Sequence, residues 1–184
     1  MTASITIPSR DVFADMTRQI LGTHTEWDTP LHHFISLTWD GTALKPSTAV
    51  AITTDIHPRG HPRLMEIATR KELARDLPVP YAYALLHEVW AVALHPDASA
   101  AERAELDRAA QRRELDQHPD RYELAVVYCV DIHGRLWTAS KQRGAEHDGV
   151  DEHFYGDPDH PHAPGGTLIR ALRDCAALAK QART

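Results

Sequence analysis

Two dipeptides, Asp40-Gly41 and His133-Gly134, each lie between runs in which apolar and polar residues alternate. Asp-Gly is a strong signal for a two-residue type I′ turn, because both central residues of that turn need positive φ. Two hairpins in one chain commit it to antiparallel pairing. They argue against a doubly wound parallel sheet, which needs a crossover helix after each strand. A two-residue loop at Asp40-Gly41 sets Trp39 opposite Thr42, Leu37 opposite Leu44 and Ile35 opposite Pro46. One face then carries Ile35, Leu37, Trp39, Leu44, Val50 and Ile52, and the other Ser36, Thr38, Lys45, Ala49 and Ala51, with Phe34 the exception. A two-residue loop at His133-Gly134 sets Val130 opposite Trp137 and Tyr128 opposite Ala139. It gathers Leu124, Val126, Tyr128, Val130, Ile132 and Trp137 on one face. Small residues such as Ala125 and Cys129 take the other, where a helix can pack closely.

The remaining elements follow from period and punctuation. Residues 8–23 read as a helix, with Ser9 as N-cap, a stripe of Val12, Phe13, Met16 and Ile20, and Gly22 at the C-cap. A second helix spans 61–76, with Pro62 near its first turn, and "LPVP" ends it. Residues 81–94 are long enough for a helix, but Val89, Trp90 and Val92 and the apolar residues on both faces suit a central strand. Residues 97–115 are a helix opened by a Ser99/Glu102 capping box, with a weak apolar stripe. The last helix, 167–181, carries Leu168, Leu172, Cys175 and Ala179 on one side, and 144–165 is a loop. The expected fold is α+β in a single domain over 1–184. About five mainly antiparallel strands, two hairpins plus one central strand, are covered by about four helices.

The 184 residues are 42% apolar and 25% charged, enough to bury a core without metal or disulfide staples. A formal net charge of −6 disfavours phosphate-backbone binding, although 13 histidines can move it toward zero in mild acid. Cys129 and Cys175 stand far apart and read as free and buried. No secretory h-region opens the chain and no apolar run reaches about 20 residues, so the expected compartment is the cytoplasm, with no membrane span.

Four segments can carry chemistry. In "LLHEVW", His87 and Glu88 interrupt an apolar run; a buried carboxyl group there can serve as a general acid or base, so both are candidate catalytic residues. In "TDIHPRGHP", Asp55 and His57 stand two apart at a strand end and His61 follows at the next helix, a donor set suited to zinc or manganese. In "HDGVDEHFYGDPDHPH", His153, His160 and His162 are further candidate metal ligands. Prolines 158, 161 and 164 recur with the three-residue period of a polyproline II helix, which puts Asp159 and His162 on one edge and Asp157 and His160 on another. Arg135, Trp137, Lys141 and Arg143 share one strand parity, a basic and aromatic mix like that of a single-strand nucleic-acid groove. Gly165-Gly166-Thr167 opens a helix but lacks the lysine spacing of a phosphate loop. HExxH, GxSxG and GxGxxG are all absent.

The leading expectation is therefore a binding or protein-interaction module, associating with a protein partner or with itself as a homo-oligomer. The alternative is a metal-dependent hydrolase using the His/Asp cluster, and the third a nucleic-acid-binding accessory protein. No cofactor other than a divalent metal is suggested, and whether the chain is an enzyme stays open.

Overall fold

The computed structural model describes residues 6–28, 31–53, 56–69, 79–112, 114–145, 149–157, 160 and 163–183, without the side chains at 31, 53, 56–61 and 69. The elements are α1 (Arg10–Gly22), β1 (Leu31–Trp39), β2 (Leu44–Thr53), α2 (Ile56–Thr69), β3 (Ala82–Val92), α3 (Ala100–Arg112), β4 (Arg121–Asp131), β5 (Leu136–Gln142), β6 (Asp151–Tyr155) and α4 (Thr167–Gln181). The strands form one antiparallel sheet in the order β2-β1-β3-β4-β5-β6. The α+β expectation therefore holds, with six strands where five were read.

Neither hairpin uses the two-residue loop that its dipeptide suggests. In the first, Trp39 pairs with Leu44 across four residues. The Asp40 carboxylate accepts from the backbone N–H groups of Thr42 and Ala43, both at 2.9 Å, and this widens the turn. The register then shifts between Ser36 and Leu37. Pro46 has no N–H to donate at this bulge, and the Ser47 hydroxyl donates to the Ser36 carbonyl at 3.2 Å. Beyond the bulge Phe34 pairs with Val50 and His32 with Ile52. Val50 and Ile52 therefore share a face with Phe34 and not with Ile35. Phe34, the exception in the sequence pattern, is a buried core residue.

In the second hairpin the loop has three residues. Asp131 N–H donates to the Arg135 carbonyl at 3.1 Å, and Gly134 takes a φ of 80°. The fully buried Asp131 carboxylate organises the turn, accepting from His133 N and Arg135 N at 2.9 Å and from Arg135 Nε at 2.7 Å. This moves the register by one residue, so Trp137 pairs with Cys129, not Val130. A one-residue shift flips every side chain of β5. Trp137 joins the small-residue face formed by Ala82, Ala84, Ala125, Cys129 and Ala139.

That face receives α1. Phe13 stacks on Trp137 with ring centroids 3.9 Å apart and planes 13° apart. Ser9 caps α1 as expected, accepting from Val12 N, but Gly22 does not end it: Thr23 is the C-cap, in the right-handed helical region. On the opposite face α4 lies against β3 and β4, and α2 packs on α4. The Cys175 thiol there meets the Leu64 carbonyl at 3.8 Å. Leu168, Leu172, Cys175 and Ala179 are all buried, as their spacing requires. α2 starts at Ile56, five residues earlier than expected, so Pro62 lies inside the helix. The Ser99/Glu102 capping box forms in both directions, at 2.7 and 3.2 Å, and α3 buries no side chain. No helix among the described residues is long and apolar enough to cross a membrane.

The strand missed in the sequence is β6, inside the segment read as a loop. Phe154 pairs with Trp137, their rings 4.8 Å apart, and Arg18 of α1 pairs with Glu152 at 3.3 Å. After β6 the chain turns: His160 N donates to the Asp157 carbonyl at 3.1 Å and Ala163 N to the His160 carbonyl at 2.9 Å. A polyproline II helix has no internal backbone hydrogen bonds, so the three-residue strap does not form there. Pro158, Asp159, Pro161 and His162 lie outside the described residues.

Asp131→Ala should lower the unfolding free energy by about 3 kcal/mol, because it strands the Arg135 guanidinium and two turn N–H groups at a buried site. Urea denaturation measures it; a change within experimental error would show that the turn does not depend on the carboxylate.

Candidate functional site

His87 and Glu88 are neighbours on β3, so they project to opposite faces of the sheet. Each stands in a different polar cluster.

Glu88 lies on the α1 face. Its Oε1 meets His24 Nε2 at 2.9 Å and its Oε2 accepts from Asp28 N at 3.1 Å. The side chains of His24 and Glu88 are 7% and 13% exposed. His24 sits in the segment that leaves α1 and folds over the end of the sheet. The Lys141 ammonium donates to the His24 carbonyl, and Trp27 packs edge-on against the imidazole at 4.7 Å. Arg143 closes the cluster: both of its terminal nitrogens donate to the Asp28 carboxylate at 2.8 Å, and one also reaches Glu123 at 2.8 Å. Its guanidinium stands 5.7 Å from the centre of the Trp27 ring. Hydrogen bonding from Arg143 holds the Asp28 carboxyl below its ordinary range, and Asp28 followed by Glu123 holds the guanidinium above its own.

This arrangement has defined chemistry. A carboxylate on Nε2 fixes the imidazole as a donor there and leaves Nδ1 as the basic nitrogen. Nδ1 is buried and meets no hydrogen-bond partner among the described residues. Glu88 spends both oxygens on donors of the protein. The dyad works as a latch that binds residues 24–28 to β3, and its residues are positioned rather than displayed.

His87 lies on the other face, buried at 6% exposure. Its ring stands 5.4 Å from that of His32 at 82°, and 5.4 Å from that of Tyr128 at 42°. His32 is equally buried, and burial raises the Tyr128 phenol above its usual range.

His57 lies within α2 and not at a strand end, four residues before His61 in the same helix; neither side chain is described. Asp55 and His162 lie outside the described residues. His153 on β6 and His160 beyond it are exposed, and Tyr155 touches both rings, at 6.3 and 5.6 Å. Among the described residues no three His, Cys, Asp or Glu side chains converge on one point. Both cysteines are free; burial pushes the Cys175 thiol up to about 12 and the Cys129 thiol higher still, which leaves neither as a nucleophile.

The basic and aromatic set of the second hairpin is not a groove. Trp137 is 2% exposed beneath Phe13, Arg135 pairs with Asp131, Arg143 with Asp28 and Glu123, and Lys141 bonds to the His24 carbonyl. Gly166, the N-cap of α4, has a φ of 96° and supplies no side-chain cap. Sequence reading singled out Glu88 and His87 but not His24, Asp28, Glu123 or His32. Their partners come from strands and segments far apart in the chain, so no spacing rule joins them.

Glu88→Ala should cost about 2 kcal/mol of stability, since it leaves the buried His24 N–H without its acceptor; Glu88→Gln, which keeps an oxygen, should cost less. Equal losses in urea titrations would contradict the latch. Arg143→Ala should destabilise fully at neutral pH. The Asp28 shift is downward, so its ion pair contributes above the ordinary aspartate value of 3.8 and is lost as pH falls through the lower folded value. The gap between wild type and variant should therefore close in acid, and a pH-independent gap would remove this assignment.

The sequence matches no protein-family model, no curated protein and no solved structure.

Proposed function

We propose that this chain works by association and that its first partner is a second copy of itself, joined through β2. The observation that carries the reading is a sheet edge that no other strand covers among the described residues. β2 is the terminal strand, and from Pro46 to Thr53 it contains no charged residue. Ala49 and Ala51 are exposed on it. From Pro46 to Thr53 no lysine blocks this edge, and no further strand pairs with it among the described residues, so it is a template for another strand. Antiparallel pairing of β2 with β2 obeys two-fold symmetry, which is the commonest closure for soluble oligomers. In a pairing centred on Val50, Ala49 faces Ala51 of the second copy, and no like charges meet although each chain is acidic overall.

A trough beside the edge adds apolar surface. It measures about 440 Å3 and lies between Met16 and Ile20 of α1 and Ile35, Pro46, Ala49 and Ala51 of the hairpin. α1 packs mainly on β5 and β4 and only lightly on β3 and β2, so the trough lies between the helix and the outer strand. Burial of this trough supplies the hydrophobic part of the association and the strand pairing its direction. The two free cysteines stand on opposite faces of the sheet, in keeping with a reducing compartment such as the cytoplasm.

Sedimentation of the purified chain at micromolar concentrations should show a dimer. The doubly substituted A49K/A51K protein should sediment as a monomer with an unchanged circular-dichroism spectrum. A wild-type chain that is monomeric throughout, or a variant that stays dimeric, would end this reading.

A further inference from the structure

We propose that the cleft between α3 and the adjoining ends of β3 and β4 is a docking groove for a basic, amphipathic segment of a partner protein. The surface is separate from the β2 edge and shares no lining residue with the trough there. The 13 residues of α3 span about 20 Å. The helix nevertheless buries no side chain and packs mainly on the short turn at Leu115–Gln117. Within a protein, a helix of this length gains most of its stability from a packed apolar face. α3 is instead held at its ends. The Ser99/Glu102 box closes its start, and Arg103 donates to the carbonyls of Ala98 and Pro96 at 3.1 and 2.9 Å. At the far end Glu114 N donates to the Ala109 carbonyl at 2.9 Å, and Arg112 pairs with Glu114 at 2.7 Å. These ties set the helix in position with a cleft of about 720 Å3 beside it.

The cleft joins apolar surface to acidic charge. Val92 and Leu94 line it where the chain leaves β3, Leu106 and Ala109 line it from the helix, and Pro119 from the approach to β4. Leu106 and Ala109 stand three apart and so share one helix face. Leu94 is 43% exposed, and Leu106 and Ala109 are half-buried. Asp97, Glu102, Glu105, Glu114 and Asp120 also line the cleft, together with Arg112, His95 and His118. Arg112 pairs with Glu105 and Glu114, and Arg108 with Glu105, so carboxylates still outnumber guanidinium groups among the described residues around the cleft. Hydrogen bonding from Ser99 holds the Glu102 carboxyl below its ordinary range, and from Arg108 that of Glu105, which keeps both charged at neutral pH. Apolar surface bordered by negative charge is complementary to a segment with aliphatic or aromatic anchors on one face and Lys or Arg beside them. The sign of the charge selects the occupant. It repels nucleic acid, and a second copy docked here about a two-fold axis would bring the same carboxylates together. The helix wall is long enough for about three turns of a partner helix.

The probe is a synthetic helical peptide of leucine and lysine with its leucines on one face. Titrated into the full chain, it should shift backbone amide NMR signals at α3, at 92–94 and at 117–120, with micromolar affinity that weakens as salt is raised. This readout needs no variant to fold. The same peptide with glutamate in place of lysine should leave those signals unmoved. D97K/D120K, which reverses two exposed charges, should weaken binding at least tenfold, and so should Leu106→Lys, both with an unchanged circular-dichroism spectrum. Shifts that are absent, or that centre on another part of the surface, would overturn the proposal. So would equal binding of the glutamate peptide, or D97K/D120K binding as the wild type does. Spermine alone producing the same shifts at the same affinity would identify a site for small polycations and overturn it as well.

Discussion

The buried carboxylate of Asp131 sets the register on which the rest of the molecule depends. By accepting two turn N–H groups and the Arg135 guanidinium, it makes the β4–β5 loop three residues long. With that length Trp137 turns to the face of small residues, and Phe13 lies flat on it. α1 is thereby fixed on the sheet, β6 gains an aromatic neighbour for Phe154, and the segment leaving α1 arrives over Glu88. A two-residue loop would have put Trp137 on the opposite face and left Phe13 facing alanines.

The two polar clusters differ in kind although their central residues are adjacent. Around Glu88 the groups are complementary in charge and each donor meets an acceptor: His24 with Glu88, Arg143 with Asp28 and Glu123. Such a network fastens one segment to another. Around His87 the near groups are rings, those of His32 and Tyr128, set in an aliphatic row. Alternation of side chains along β3 separates these two chemistries by the thickness of the sheet.

Much of the architecture was legible in the order of residues. The central strand, the capping box at Ser99 and Glu102, the stripe of α4 and the Ser9 cap of α1 all rest on interactions between residues within a few positions of one another. The strand β6 was not legible. "DEHFY" alternates weakly and its neighbours are turn formers, so only pairing with β5 and the contact of Phe154 with Trp137 make it a strand. The turn lengths escaped for a related reason. Asp-Gly and His-Gly mark the place of a turn, whereas the side chains of Asp40 and Asp131 decide its length. The His/Asp spacing at residues 55–61 presumed a strand where a helix begins at Ile56.

The sequence by itself determined the class of fold, the helices with strong stripes and the positions at which the chain turns, because periodicity and local hydrogen bonding act over a few residues. It also marked His87 and Glu88, since polar residues in an apolar strand need partners wherever they lie. Only the tertiary structure decided who those partners are. Register selects among cross-strand neighbours by steps of one residue, and a single step exchanges the two faces of a strand. His24 therefore came to Glu88 from 64 residues away and His32 came to His87 from a different strand, through contacts that exist only once the sheet is assembled.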